Sequence, residues 1–190
     1  MDDGEVWFEY AAVQLLSGDR NGYRQTCAEM LKRCQLQLPE MRPYHVARSC
    51  TLAPEAVPDL ARVKQLSDGE LMNKAAAFWS LTEQGALYYR AGRYLEAPSL
   101  LEQSLRAEPK PGAAVLNWLW LSLACRKLGR SDEARRWIDE ADNWLAHCGT
   151  ELPAGANAIG LHLHNWLEAH VLRRELASII RGGAIERPSP

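Results

Sequence analysis

A 37-residue register constrains this sequence more than any other feature. Gly92 and Gly129 are 37 residues apart, as are Ala97 and Ala134, and Gly18 lies two periods before Gly92. Each glycine ends an apolar run with helical spacing, and each alanine lies on the buried face of the next. A fixed period of this length is the mark of stacked helical hairpins, because one hairpin cannot bury its apolar face alone. The register puts a further elbow near Glu55, in the turn between Pro54 and Pro58. The expected fold is therefore an all-α solenoid of about four hairpins, spanning about 3–33, 41–72, 74–107 and 111–147. A capping helix follows over about 162–181. Residues 1–183 are expected to form one domain, with 184–190 as a loose tail.

Local signals agree with this frame. Over 3–17, Val6, Trp7, Tyr10, Ala11, Val13 and Leu15 have helical spacing, and Asp2 or Asp3 can accept from the first-turn amides. Over 20–33, Tyr23, Cys27, Met30 and Leu31 share a face, with Lys32 and Arg33 at the negative helix end. Prolines 39, 43, 54 and 58 break the next stretch into a shorter hairpin. Pro43 and Pro58 are placed to open helices, and Ser67-Asp68-Gly69 is expected to weaken or interrupt the second of these. A long helix is expected from Lys74 to about Arg90, with its partner from about 94 to 107. Pro111 opens the next helix and Gly129 ends it, and Ser131 is placed to cap the one after. Residues 149–160 read as a polar loop, and Gly182-Gly183 as the stop of the last helix.

Two hairpins resemble the tetratricopeptide repeat. In the third, the match is carried by Leu81, Gly85, Tyr88, Gly92, Ala97, Leu101 and Pro109, with Gln84 and Ser104 departing from the pattern. In the fourth it is carried by Trp118, Leu121, Ser122, Cys125, Gly129, Ala134, Ile138 and Ala141. The first hairpin keeps Trp7, Ala11 and Gly18 but has Tyr23 where alanine is usual. Small residues at Gly85, Ser122, Ala97 and Ala134 let paired helices approach closely, and Tyr88, Leu101, Trp118 and Ile138 fill the space between neighbours. The stretches 10–20, 47–57, 85–93 and 166–175 also look like the tetratricopeptide tails of large bacterial signalling proteins that carry a serine/threonine kinase or a WD40 propeller. No kinase or propeller segment occurs here. The resemblance implies a right-handed superhelix and a protein-binding scaffold.

In such hairpins the first helices line a concave side, and residues about 100° from the signature positions face the groove. The residues expected there are Phe8, Tyr44, Arg48, Trp79, Thr82, Tyr89, Arg90, Leu119, Leu123 and Arg126. This is an apolar, aromatic strip with arginines at one edge, suited to a helical or peptide segment of a protein partner. Three occupancies stay open: a partner segment, the chain's own last helix, or simple incorporation into the core. The Lys/Asn/Arg clamp for a C-terminal carboxylate is missing, since Phe8, Ala12 and Thr82 stand at the matching positions.

Composition narrows the function classes. A formal net charge of -2 gives no electrostatic case for nucleic acid or an anionic membrane, and no apolar run approaches the roughly 20 residues of a membrane span. A cytoplasmic protein is expected, with its oligomeric state open. The five cysteines include no C-x-x-C pair and read as reduced thiols, buried at 27, 50 and 125. His162, His164 and His170 have no i, i+4 pair, so no metal site is expected. Glu168, Arg173, Arg174 and Glu175 read as a solvated face with weak ion pairs. No phosphate loop, H-E-x-x-H or G-x-S-x-G occurs, and neither an enzyme nor a cofactor is expected. The alternatives are an oligomerisation or spacer element and an RNA-binding helical repeat.

Overall fold

A computed structural model describes residues 3–71, 77–107, 111–147 and 162–185. Among these residues the chain is all-α, with nine helices: α1 (Gly4–Ser17), α2 (Arg20–Gln35), α3 (Pro43–Thr51), α4 (Leu60–Leu71), α5 (Ala77–Arg90), α6 (Ala97–Ala107), α7 (Pro111–Lys127), α8 (Ser131–His147) and α9 (Leu163–Ile185). Successive helices pack antiparallel in pairs, α1 on α2, α3 on α4, α5 on α6 and α7 on α8. The first members also touch in series, α1 to α3, α3 to α5 and α5 to α7.

The elbows keep the register. Gly18, Gly92 and Gly129 have φ of 89°, 77° and 73°, in the left-handed region that lacks a penalty only for glycine. Each closes the same Schellman pair of backbone bonds. Asp19, Arg93 and Arg130 amides donate to the carbonyls of Gln14, Tyr88 and Cys125 at 2.8–2.9 Å, and the glycine amides donate to Leu15, Tyr89 and Arg126. Glu55, in the register position of the second elbow, has φ of 59° without being glycine. Its helix is shorter than the others because Pro54 has no N–H for an i−4 bond and restricts Ala53.

Helix starts follow their caps. Asp3 accepts from the Glu5 amide at 2.9 Å and Asp19 from the Gly22 amide at 2.8 Å. Asp59, not Pro58, starts α4 by accepting from the Arg62 amide at 3.1 Å. Within the third hairpin, a Cβ on Gly85 would lie 2.7 Å from Leu101 Cγ, so only glycine permits this approach of α5 to α6. In the fourth, Ser122 Oγ donates to the Ala134 carbonyl at 2.9 Å and ties α7 to α8.

Several boundaries differ from expectation. Ser67-Asp68-Gly69 does not break α4, because Ser67 Oγ bonds back to the Lys64 carbonyl and Lys64 pairs with Asp68 one turn on. The partner helix after the third elbow begins at Ala97, three residues later than expected. Ser131 is the first residue of α8, not the residue before it. Gly182-Gly183 does not stop α9, which runs to Ile185; a glycine costs a helix only about 1 kcal/mol. The expected loop over 149–160, Lys74–Ala76, Pro109 and residues 186–190 lie outside the described residues.

Two apolar cores result. One is built mainly from α1 to α4, with Phe8, Tyr23, Met30, Val46 and Leu52, joined by Leu87 of α5; the other from α5 to α8, with Leu101, Leu116, Leu119 and Trp120. Helix α9 belongs to both, giving Leu167 and Val171 to the first and Ala169, Leu172 and Leu176 to the second. Cys27, Cys34, Cys50 and Cys125 are buried free thiols.

The cost of a left-handed Glu55 gives a test of opposite signs. Glu55→Gly is expected to raise stability by about 1 kcal/mol and Gly92→Ala to lower it by about the same, read by denaturant unfolding.

Candidate functional site: the seat of the last helix

Helix α9 lies against the row of first helices α1, α3, α5 and α7, called the inner row, and meets a side chain or carbonyl from each of the four. From α1, the Phe8 ring stands edge-on to His164, centroids 6.4 Å apart, and the Leu16 carbonyl accepts from Arg174. From α3, Arg48 donates through Nε and Nη2 to Glu168 Oε2, at 2.9 and 2.6 Å, and through Nη2 to Asn165 Oδ1. From α5, Arg90 pairs bidentately with Glu175, both bonds 2.6 Å. From α7, Trp120 Nε1 donates to Glu168 Oε1 at 3.3 Å.

Both members of the Arg48–Glu168 pair are buried, with side chains 7% and 3% exposed. Such a pair persists only when its remaining hydrogen-bonding capacity is met, and Asn165 and Trp120 provide much of that. The guanidinium also lies 4.4 Å from the Phe8 ring centroid and 5.7 Å from that of Trp79. Burial opposes the Arg48 charge, but the Glu168 carboxylate outweighs it and holds the group firmly protonated. Arg90 is equally occupied. Besides Glu175 it donates to the Thr51 and Leu52 carbonyls at 2.6 and 3.0 Å, capping the end of α3.

Glu83 on α5 completes the centre. It is 3% exposed, and burial, followed by the neighbouring Glu168 charge, pushes its pKa up to about 8 against the pull of Arg48 and Thr51. Thr51 Oγ1 lies 3.0 Å from Glu83 Oε1 and 2.9 Å from the Arg48 carbonyl. One hydroxyl proton cannot serve two acceptors. A protonated Glu83 donates to Thr51, which then donates to the carbonyl, so the neutral acid satisfies every group. His164 is the counterpart. Burial and the adjacent Arg48 charge lower its pKa to about 3, so its 3.8 Å approach to Glu5 is not an ion pair near neutrality.

The residues expected to share one face divide into groups. Phe8, Arg48, Tyr89 and Arg90 gather around α9, with Tyr89 5.6 Å from the Trp120 ring and Trp79 behind Arg48. Tyr44 lies beside Arg48, and burial raises its hydroxyl to about 12. Leu119 and Leu123 are fully buried in the second core. Thr82 instead joins Ser104 and Asn117 in a hydroxyl–amide cluster between α5, α6 and α7, at 2.8 and 3.1 Å. Arg126 lines a cavity of about 260 Å³ with Ser122, Asp132 and Ile138.

Glu168 and Glu175 overturn the reading of a solvated face: Glu168 is 2% exposed and Glu175 is held by Arg90. A signal for them was present. Asn165, Glu168, Leu172 and Glu175 recur at steps of three and four, on the stripe that buries Leu172. Glu83 and Trp120 carried no comparable signal.

Among the described residues, no group of three or more His, Cys, Asp or Glu could hold a metal, and no helix is long and apolar enough to cross a membrane. Searches of family models, curated proteins and solved structures find no match to this chain.

The two groups of this site with the largest shifts predict its contribution to the pH profile. Glu83 has a raised pKa in the fold, so its contribution is full below about 4.5 and is lost as pH rises through about 8. His164 has a lowered pKa, so its contribution is present above about 6.5 and is lost as pH falls towards 3. Each proton changes stability by about 1.4 kcal/mol per pH unit, and the two slopes cancel between about pH 4.5 and 6.5. Thermal unfolding should show a plateau there and a fall from pH 6.5 to 8. Glu83→Gln, which mimics the neutral acid, should remove the alkaline fall.

Proposed function

We propose that the chain is a tetratricopeptide-type scaffold for protein–protein interaction, whose inner face recognises an amphipathic helix bearing two acidic residues two turns apart. The observation that carries this reading is the seat itself. Four helices of a repeating series contribute Phe8, Arg48, Arg90 and Trp120 to hold one helical segment, and the acids they select are Glu168 and Glu175. Helix-in-groove recognition uses such anchors, with buried aromatic and arginine side chains supplying most of the energy. In this chain α9 takes the seat, and a partner helix of the same pattern competes for it. The solenoid class is supported by four left-handed elbows in one 37-residue register. The bacterial signalling context and a cytoplasmic location belong to the same reading.

Exchange tests it. Glu175→Arg places like charges opposite Arg90 and loosens α9 in the full-length chain. A labelled peptide of residues 162–185 is expected to bind this variant at least tenfold more tightly than wild type. The same peptide with Glu168 and Glu175 changed to Ala should not bind. A folded Glu175→Arg protein that ignores the native peptide would sink the reading.

A second reading, self-association, rests on a different face. Val6, Tyr10 and Val13 recur one and two turns apart on α1 and are 41–49% exposed, on a helix whose opposite side is already buried. Sedimentation equilibrium would then show association that Val13→Glu abolishes; a monomer at all concentrations rules it out.

A further inference from the structure

We propose that a cavity at the elbow end of the helices binds a small organic anion: an apolar chain or ring bearing a single carboxylate. The cavity is about 460 Å³ and is enclosed by the Gly18 elbow, the end of α3 at Leu52–Pro54, Lys127 at the end of α7, and α9 from Val171 to Ile179. It lies outside the contacts of Arg48 and Glu168 but shares α9 and Glu175 with the interaction seat, so it rests on that reading only in needing α9 in place. Its volume falls in the range of small-molecule sites, roughly 300–1,000 Å³. Leu15, Leu16, Val171 and Ile179 contribute apolar lining, and the exposed Arg20, Lys127 and Arg174 stand among its walls.

The charge balance indicates the ligand's sign. Arg90 and Glu175 at the wall neutralise each other. Among the described residues Arg174 bonds only to the Leu16 carbonyl, and Arg20 and Lys127 have no ion-pair partner. Asp19, turned to the Gly22 amide, is the nearest opposing carboxylate in sequence. Three cations against Asp19 leave an excess of two. The carboxyl ends of α1, α3 and α7 contribute about half a negative charge each, and the amino end of α2 about half a positive one. The remainder is about one positive charge, which matches a monoanion.

Arg20 gives a second, separate indication. It is the first residue of α2, whose first turn contains no acid. A cation at a helix amino end opposes the macrodipole and costs a few tenths of a kcal/mol. The capping Asp19 offsets this in part, and a carboxylate ligand would offset the rest. With a carboxylate in the cavity, Arg20 and the end of α2 would face the same anion.

The test is calorimetric titration of the full-length protein with decanoate, decanol and acetate. Saturable decanoate binding is expected, with decanol and acetate at least tenfold weaker. N-acetyl-Leu-Leu with a free carboxylate and its amide distinguish a free acid from a peptide end as the natural source. Lys127→Gln and Arg20→Gln, which break no side-chain hydrogen bond or ion pair among the described residues, should each weaken decanoate about tenfold while the melting temperature holds. Arg174→Gln should weaken it at least as much. No saturable binding of either carboxylate, equal binding of decanol, or unchanged affinity in both Lys127→Gln and Arg20→Gln would overturn the site.

Discussion

The ion pair between Arg48 and Glu168 is the contact on which the arrangement of the helices depends. Apolar surface alone would hold α9 between the two cores, because it offers Leu167 and Val171 to one side and Leu172 and Leu176 to the other. That attraction is non-directional and would tolerate rotation or sliding. A buried charge does not tolerate either, because a displaced Glu168 would leave Arg48 uncompensated in an apolar surrounding. Glu175 follows seven residues later, about 10.5 Å along the helix axis, and meets Arg90. Two matched pairs fix both the rotation of α9 and its position along the inner row. The stability of the pair is secondary to this selection of register.

The same centre explains why one carboxyl group must stay neutral. Arg48, Glu168 and Glu83 share a site with a single positive charge, and Glu168 already takes two Arg48 hydrogen bonds. A second carboxylate would have no cation of its own and would face Glu168. Protonation removes that repulsion and supplies the donor that Thr51 needs to reach the Arg48 carbonyl. The arrangement links α3, α5, α7 and α9 through one set of bonds, so a change at Glu83 is felt where α9 docks.

Much of the fold was legible because its punctuation is local. A left-handed elbow needs glycine for steric reasons, and three of the four elbows have it. The fourth, at Glu55, was found from the register alone. Helix interiors were less legible. Ser67-Asp68-Gly69 and Gly182-Gly183 looked like breaks because propensity disfavours them, yet the penalty is about 1 kcal/mol per glycine. In α4 it is offset by side-chain bonds inside the helix. On the inner face, Phe8, Arg48, Trp79, Tyr89 and Arg90 were legible from helical phase. Thr82 was not placed correctly, because its partners Ser104 and Asn117 come from two other helices. Glu168 and Glu175 were misread because charge normally marks solvent, and only their shared stripe with Leu172 pointed inward.

Filling of the inner face by α9 also shapes the rest of the molecule. A helix laid along the row satisfies Arg48 and Arg90, the two arginines that face it. It covers only part of the elbow end, where the carboxyl ends of α1, α3 and α7 converge and their last carbonyls need donors. Arg90 answers this for α3 and Arg174 for α1. Arg20 and Lys127 answer nothing within the described residues, although they stand at the same cavity. The cations at the inner face are therefore part of the fold, and those at the elbows are the ones left for chemistry outside it.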